Sequence, residues 1–358
     1  MDPLFNCPIE KMRIAGLSEA AVKGFQRAYE KIKGGAYELI EESSIDTIDE
    51  VKKYDNLDVP NNEELESVIN KSVVIKLNGG LGTSMGLNTT KSLLEVREGL
   101  TFLDVIAKQV MHIRKEHHND LKFLLMNSFS TTDETREFLL KYPQLGEPRE
   151  IELLQNRIPK IDANTFEAIA YSESLDLEWC PPGHGDIYAT LLGTGALDKL
   201  VDSGVHYAFV SNSDNLGATF DFNLLSEFIN SGSSFMMEVT RRTDADIKGG
   251  HLAKDSQSGN LLLREVAQCP DKDLKEFQDV SKYRYFNTNN IWLRLDRLRD
   301  LMQDSGGFID LPLIVNRKHV NPVDSDSTKV IQIEVAMGAA IQCFKDSTVI
   351  EVPRSRFS

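Results

Sequence analysis

The chain has 358 residues and a formal net charge of −15 at neutral pH. Its length allows a large buried core, in one extended α/β domain or in two to three smaller ones. The negative charge argues against general binding to nucleic acids or acidic membranes, because the field of the protein repels phosphate, so a phosphate site must be built locally.

The cysteine pattern predicts a reducing compartment. The cysteines are scattered, with no Cys-x-x-Cys pair and no neighbouring His cluster that would indicate zinc or a disulfide framework: Cys7, Cys180, Cys269 and Cys343. The N-terminal region lacks the apolar core of a secretion signal, and no apolar run approaches membrane-spanning length. We therefore expect a cytoplasmic protein that binds neither nucleic acid nor membrane.

Residues 1–70 are predicted to form a helical, acidic segment. Connectors rich in Glu and Asp follow apolar residues that recur at helical spacing, namely Leu17, Ala21, Val22, Phe25, Tyr29 and Ile32. We expect this segment to be a lid or packing layer on a catalytic domain that spans residues 71–358.

Short apolar runs alternate with helical patterns in the rest of the chain. The first run, residues 73–77, ends at a sharp Asn-Gly-Gly turn, and a helix with Phe102, Val105, Ile106, Val110 and Ile113 follows. Further strands are predicted at residues 123–126, 207–210, 235–240, 261–267 and 285–293, and helices near residues 133–141, 187–200 and 221–230. This alternation predicts an α/β fold with a doubly wound, mixed and mostly parallel sheet.

A glycine-rich turn follows the first predicted strand. Residues 77–92 read LNGGLGTSMGLNTTKS, with glycines at positions 79, 80, 82 and 86. The run offers no G-x-x-x-x-G-K-S/T register of a P-loop, and it misses the dinucleotide fingerprint because its last glycine comes one residue late. Its bare backbone N–H groups suit phosphate oxygens, and Lys91 is placed to neutralise charge that develops on the α-phosphate and the departing pyrophosphate. The alternative is a flexible turn with a solvated Lys91.

A series of motifs in chain order resembles the UDP-glucose pyrophosphorylase family. Besides LNGGLGTSMG and the KS that follows it, they are MNSF at 126–129, PPGHGDIY at 181–188, SNSDNLGAT at 211–219, KGG at 248–250, FNTNN at 286–290 and VPRSRF at 352–357. UDP-N-acetylhexosamine pyrophosphorylases instead have an alanine where Asn78 stands and an arginine near Ser84. The resemblance covers roughly residues 70–357. It implies a Rossmann-like fold of the nucleotide-diphospho-sugar transferase type, and transfer of UMP from UTP to glucose 1-phosphate, giving UDP-glucose and pyrophosphate.

Asp214 is the candidate metal ligand. It follows the predicted strand at residues 207–210, at the edge where open parallel sheets bind their ligands. The surrounding Ser-Asn-Ser-Asp-Asn run is also ordinary turn chemistry, so the residues alone leave both interpretations open. The resemblance implies that Asp214 holds Mg²⁺, for which one carboxylate facing the nucleotide suffices.

The resemblance further implies a site for the uridine nucleotide. The residues expected there are Leu77, Asn78, Gly79, Gly80, Met126, Gln155, Gly183, His184 and Asn212. Gln155 would face the base and Met126 would pack on its ring, although Met126 also fits an ordinary core position. The turn at 181–186 has the alternative of a helix start with Asp186 as N-cap. His184 is not expected to be a general base, because a sugar phosphate is already ionised near neutral pH.

Hydroxyl groups of a sugar require carboxylates and amides that can form paired hydrogen bonds. The residues expected to bind the sugar are Gly250, Glu265, Asn289, Asn290 and Glu334. The alternative is a satisfied internal network or, for Glu334, a solvent-facing position in an alternating strand.

Two features separate the chain from the family pattern. Members of the family continue past the RSRF motif to a second phosphate-contacting lysine and a C-terminal β-helix, whereas Ser358 follows Phe357 here. We expect the β-helix to be absent, in either a fragment of a longer protein or a natural short form with little turnover. Cys180 and Ile158 also stand where the family usually has aromatic residues.

The competing hypotheses for the function are a related UDP-sugar or UDP-N-acetylhexosamine pyrophosphorylase, and a catalytically idle UDP-sugar binder.

Overall fold

The computed structural model describes residues 7–35, 39–59, 62–81 and 89–357. The helices in these ranges are α1 (Pro8–Ile14), α2 (Glu19–Lys33), α3 (Asn62–Ile69), α4 (Phe102–Glu116), α5 (Thr132–Leu139), α6 (Ile187–Gly193), α7 (Ala196–Asp202), α8 (Phe222–Ser231), α9 (Leu274–Phe277) and α10 (Leu295–Asp304). The strands are β1 (Ile45–Asp46), β2 (Lys52–Lys53), β3 (Ser72–Asn78), β4 (Glu95–Arg97), β5 (Leu100–Thr101), β6 (Lys122–Asn127), β7 (Glu152–Leu154), β8 (Ile158–Pro159), β9 (Ile161–Asp162), β10 (Trp179–Cys180), β11 (Tyr207–Asn212), β12 (Phe235–Arg241), β13 (His251–Asp255), β14 (Leu261–Arg264), β15 (Tyr285–Arg294), β16 (Leu313–His319), β17 (Lys329–Val335) and β18 (Thr348–Glu351).

The central sheet is mixed and mostly parallel. Its strand order is β2-β18-β12-β15-β11-β3-β6-β7. The strand β15 runs antiparallel to β12 and β11, and the other neighbours along this order pair in parallel. The predicted fold class is therefore confirmed.

Helices cover both faces of the sheet around β3, and the burial of this strand explains why. All of its residues are buried. Val73, Ile75 and Leu77 pack on one side with α6, α7 and α10, whereas Val74 packs on the other side with α4 and α8. A strand that is buried on both faces reads as a continuous apolar run, which is the pattern of parallel α/β sheets. This packing fixes the strand ends that form the site.

The N-terminal segment packs along this core. The helix α2 begins at Ser18, whose hydroxyl accepts a hydrogen bond from the backbone N–H of Ala21, and it buries its apolar face, including Phe25, against Ile331 and Ile333 of β17. The strands β1 and β2 pair with β13 and β18. The division into segments 1–70 and 71–358 stays a prediction.

Two predicted elements have the wrong extent. The strand expected at 261–267 ends at Arg264, because the backbone N–H of Glu265 donates to the side chain of Gln268 and a short 3-10 turn begins. The helix expected at 187–200 breaks at Gly195, whose φ of 71° is left-handed, and α7 starts there. The strands β13, β16 and β18 were not predicted, whereas β17 is the alternating strand expected around Glu334.

Candidate functional site

A cleft of about 330 Å³ lies at the edge of the sheet where β3, β6, β7 and β11 end. Volumes of this order hold ligands of nucleotide size. The residues that line the cleft are Leu77, Gly79, Gly80, Leu81, Lys91, Met126, Gln155, Pro181, Gly183, His184, Asn212, Ser213 and Asp214. The cleft lining thus contains Lys91, Asp214 and all the predicted nucleotide-binding residues except Asn78.

Asn78 lies behind the cleft wall and not in it. Its side chain is buried and donates to Asn127 Oδ1 at 2.7 Å and Thr135 Oγ1 at 3.0 Å, while its own Oδ1 accepts from the Ser213 hydroxyl at 3.1 Å. This amide therefore ties together the ends of β3, β6 and β11. Its part is to hold the turn, and the glycines that follow it, Gly79 and Gly80, line the cleft.

The glycines after β3 allow the chain to pass close to neighbouring strands. A Cβ on Gly79 would lie 2.9 Å from Gln155 Oε1, whereas one on Gly80 would meet open space. The turn closes where the backbone N–H of Lys91 donates to the carbonyl of Gly80 at 3.0 Å. The rest of the predicted glycine turn, residues 82–88 with the glycines at 82 and 86, lies outside the described residues.

Lys91 and Asp214 meet at the mouth of the cleft. The Lys91 ammonium donates directly to the Asp214 carboxylate, and about a third of each side chain is exposed, 36% and 31%. One residue follows the glycine turn and the other follows β11, so the parallel pairing of β3 with β11 brings them to the same place. The predicted convergence of ammonium and carboxylate is present.

The opposite wall of the cleft is formed by Gln155 and the Gly183 turn. Gln155 Nε2 donates to the Gly183 carbonyl at 2.8 Å, and its backbone N–H donates to the Asn127 carbonyl. Met126, at the end of β6, is almost fully buried between the cleft and the core. An amide group beside a flat apolar surface suits a pyrimidine base.

His184 is held as a neutral imidazole. Its Nδ1 accepts a hydrogen bond from the backbone N–H of Met337 at 2.9 Å. Burial lowers the pKa of His184 to about 4. The proton of the neutral ring must then sit on Nε2, which makes this atom a donor and not a base at neutral pH.

Asp186 stands at the N-cap position of α6, but its side chain does not cap the helix. Its Oδ2 accepts instead from the backbone N–H of Asn156 and the hydroxyl of Thr190, both at 2.8 Å. The N-cap interpretation of this side chain is therefore wrong. The carboxylate joins the segment that carries Gln155 to the turn that carries Gly183.

Asn289 lies at an irregularity in β15. Its φ of 59° is left-handed, and the pairing of β15 with β12 slips beside it. Its Nδ2 donates to Asn212 Oδ1 at 2.8 Å, whereas its own Oδ1 is buried without a hydrogen-bond partner. A buried acceptor with a free lone pair is costly unless a ligand supplies a donor. This feature fits a role in binding sugar hydroxyls.

Asn290 belongs to an internal network. It is fully buried, and its Nδ2 donates to Glu238 Oε2 at 3.1 Å and to the Arg356 carbonyl at 3.2 Å. Its Oδ1 accepts from Asn215. The structure therefore favours the alternative of a satisfied network for this residue.

The other predicted sugar-binding residues lie beside the Gly183 turn or near the irregularity in β15. A Cβ on Gly250 would lie 2.5 Å from Glu265 Oε1, and one on Gly183 would lie 3.1 Å from the Cβ of Glu334. Glu334 Oε1 accepts from Asn316 Nδ2 at 2.9 Å. Burial raises the pKa of Glu265. Glu334 thus adjoins the cleft wall formed by Gln155 and the Gly183 turn, and Glu265 lies behind the Gly250 backbone.

Sequence reasoning missed a buried ion pair beneath the site. The Arg356 guanidinium donates from Nε and Nη2 to the two oxygens of Glu238, both at 2.8 Å, and Nη2 also reaches the carbonyl of Thr219. Lys76 Nζ donates to the Ala218 carbonyl on the same loop, and burial lowers the pKa of Lys76 to about 7. A charged residue inside the apolar run of β3 was the available signal. Leu81, Pro181 and Ser213 of the cleft lining were also missed.

In the described part of the chain, no three His, Cys, Asp or Glu side chains form a cluster that could hold a metal ion. Asp214 is the acidic residue among those that line the cleft. Within the same ranges, no helix has both the length and the apolarity needed to cross a bilayer.

Comparison with known proteins identifies the family. The sequence profile described as UTP–glucose-1-phosphate uridylyltransferase matches residues 22–358. Enzymes of that name from Musa acuminata and Hordeum vulgare are each 40% identical, over 95% and 96% of this chain and 72% of their own length. A variant of UDP-glucose pyrophosphorylase from Leishmania major, crystallised with UDP-glucose, is 45% identical, with a TM-score of 0.93 over 100% of this chain and 77% of that one. A Trypanosoma brucei structure titled UDP-glucose phosphorylase is also 45% identical, with a TM-score of 0.92 over 98% of this chain and 75% of that one. The chain therefore belongs to the UTP–glucose-1-phosphate uridylyltransferase family.

Proposed function

We propose that the chain transfers UMP from UTP to glucose 1-phosphate and releases UDP-glucose and pyrophosphate. The observation that carries this proposal is the meeting of Lys91 and Asp214 beside the glycine turn, in a cleft whose opposite wall presents Gln155. Family membership supports the choice of substrates, and this geometry supports the proposed location of the nucleotide in the cleft.

The reaction is a direct displacement. A phosphate oxygen of glucose 1-phosphate attacks the α-phosphorus of UTP, a new P–O bond forms, and the bond to the bridging oxygen of pyrophosphate breaks. Backbone amides at Gly79 and Gly80 hold the phosphate chain, and the Lys91 ammonium neutralises charge on the α-phosphate and the leaving group. Alignment of this kind contributes on the order of 10 kcal/mol of barrier reduction.

No side chain needs to remove a proton, because the attacking oxygen is already ionised. The protonation state of His184 agrees with a reaction that needs no general base. Its ring is neutral and offers a hydrogen-bond donor, not an acceptor for a proton, to the cleft. Gln155 reads the uracil edge, and Met126 supports the ring. Both side chains are held before ligand arrives, so little ordering is required on binding.

We propose Mg²⁺ as the cofactor, with Asp214 as its protein ligand. The donor set fits, because a hard cation tolerates a single carboxylate when phosphate oxygens and waters complete its shell. When bound, the ion neutralises phosphate charge and helps to orient the phosphoryl groups. Asp214 already contacts Lys91, so carboxylate and ammonium face the same volume.

The sugar is proposed to lie beyond Asn212, toward Asn289, Glu334, Gly250 and Glu265. The bond between Asn289 and Asn212 joins this region to the cleft, and the unpartnered Asn289 Oδ1 offers an acceptor. We assign Asn290 a positioning role there.

The free state of all four cysteines agrees with a reducing compartment, and we propose a cytoplasmic location.

The test is pyrophosphate release with UTP and a panel of sugar 1-phosphates, with Mg²⁺ and with excess EDTA. We expect release with glucose 1-phosphate and its loss on chelation. A preference for N-acetylglucosamine 1-phosphate would overturn the sugar assignment. Binding of UDP-glucose without any release would favour the catalytically idle binder.

A further inference from the structure

A carboxylate of the N-terminal segment is enclosed by donors from the region that carries Glu265. Glu42 accepts from Lys282 Nζ at 2.6 Å, from the hydroxyl of Tyr283 at 2.7 Å and from Arg264 Nη1 at 2.8 Å. The Glu42 side chain is 20% exposed and that of Arg264 is fully buried. Three donors on one carboxylate form a charged network that costs more to break than a surface ion pair.

The backbone around Glu42 follows the same region. The N–H of Glu42 donates to Asp273 Oδ2, and the N–H of Ile40 donates to the carbonyl of Gln268, both at 2.8 Å. Residues 45 and 46 pair with β13 as the strand β1. We name residues 40–46 the strap, because they cross from the Gln268 turn to β13 and connect the two.

The strap contacts Arg264, the residue next to Glu265, which is proposed to bind the sugar. Arg264 directly precedes Glu265 and is held by Glu42, and the backbone N–H of Glu265 itself donates to Gln268 Oε1 at 2.8 Å. On the other side the backbone of Gly250 lies close to the Glu265 carboxylate, since a Cβ at position 250 would lie 2.5 Å from it. A shift of Arg264 would therefore displace Glu265.

We propose that Glu42 is a positioning residue for Glu265, and through it for the sugar half of UDP-glucose. The inference rests on the proposed function, because it assumes that Glu265 faces the sugar. It assigns the acidic N-terminal segment a part in sugar recognition and leaves the uridine half to the cleft residues.

The charge of Glu42 is maintained at neutral pH. Burial alone would raise its pKa, but the hydrogen bonds from Lys282, Tyr283 and Arg264 hold the pKa of Glu42 below its ordinary value of 4.5. Glutamine at this position keeps the shape and removes the charge, which leaves the buried Arg264 with Asp273 as its remaining acidic partner.

The experiment measures the dissociation constants of UDP and of UDP-glucose by titration calorimetry for the wild type, E42Q and E41Q. Glu41 is the matched control, because it is the adjacent residue and its ion pair with Lys272 is exposed. We expect E42Q to bind UDP-glucose about tenfold more weakly, which corresponds to about 1.4 kcal/mol, with an unchanged constant for UDP. We expect E41Q to leave both constants unchanged.

Equal weakening of both ligands in E42Q, or no change in either, would overturn the proposal. If E42Q does not fold, Y283F removes one of the three donors and keeps the ring, and a selective loss for UDP-glucose of about threefold is expected. A wild type that binds neither UDP nor UDP-glucose would contradict the proposed function itself. This outcome is distinguishable from the two results that would overturn the role of Glu42, because those are seen in E42Q and not in the wild type.

Discussion

Replacement of Gly183 by alanine tests whether the position of Gln155 in the cleft wall depends on the turn at Gly183. Gly183 has φ 82° and ψ 168°, a region that is almost confined to glycine and costs other residues roughly 1–3 kcal/mol. A Cβ there would also lie 2.6 Å from the Val335 carbonyl oxygen and 2.9 Å from its nitrogen, both backbone atoms of β17. Because backbone cannot swing aside as a side chain would, the turn itself must move.

Movement of the turn should disturb Gln155, whose Nε2 donates to the Gly183 carbonyl. We expect Gly183→Ala to cost about 3 kcal/mol of stability in total and to weaken UDP binding at least tenfold, in calorimetric titrations and thermal unfolding. Gly195→Ala is the control, because Gly195 also has a positive φ, 71°, but a Cβ there meets nothing within 4 Å. It should cost about 1–2 kcal/mol and leave UDP affinity unchanged. The same UDP affinity and unfolding midpoint in both variants would refute the reasoning.

Three further predictions follow from buried polar contacts. Asp186→Asn places an amide N–H against the N–H of Asn156, so the KM for UTP should rise about tenfold in steady-state assays; an unchanged KM would contradict this link. Asn289→Gly keeps the left-handed backbone and removes the side chain, so UDP-glucose should bind about tenfold more weakly by calorimetry, whereas UDP should not; weakening of UDP alone would exclude the sugar role. Arg356→Met leaves Glu238 buried without its cation and should cost about 3–5 kcal/mol in denaturant unfolding, and a cost below about 1 kcal/mol would show that the pair contributes little.

The inner strands of the central sheet could be predicted from the sequence because they are largely buried on both faces. The residues of β3, β6 and β11 form continuous apolar runs that end in polar turns, and this pattern is visible without a structure. The strand β16 was missed because its second half, Asn316 to His319, is polar on both faces, and it lies in a separate small sheet with β17 and β9.

The site was predictable in part. Resemblance in short motifs identified Lys91, Asp214 and Gln155, which the parallel pairing of their strands brings into one cleft. Whether an amide has internal partners depends on long-range packing, which leaves Asn289 Oδ1 without a partner but satisfies the adjacent Asn290. The chain order alone carries no signal for that difference.

The role of Glu42 shows the same limit on a longer scale. Its partners lie more than 200 positions away along the chain, at Arg264 and Tyr283. In the sequence, Glu42 is one acidic residue in an acidic segment, and only the folded contacts distinguish it from Glu41.

The central claim is that Lys91 and a cation held by Asp214 act together on the α-phosphorus of UTP. The most direct test compares turnover and UDP-glucose affinity in Lys91→Met with those in Lys108→Met, a substitution at an exposed lysine of α4. We predict that kcat falls by about 10²–10³ in Lys91→Met while the Kd for UDP-glucose changes by less than about threefold, because the charge that Lys91 stabilises develops in the transition state. Equal losses in turnover and affinity, or turnover equal to that of Lys108→Met, would contradict the account.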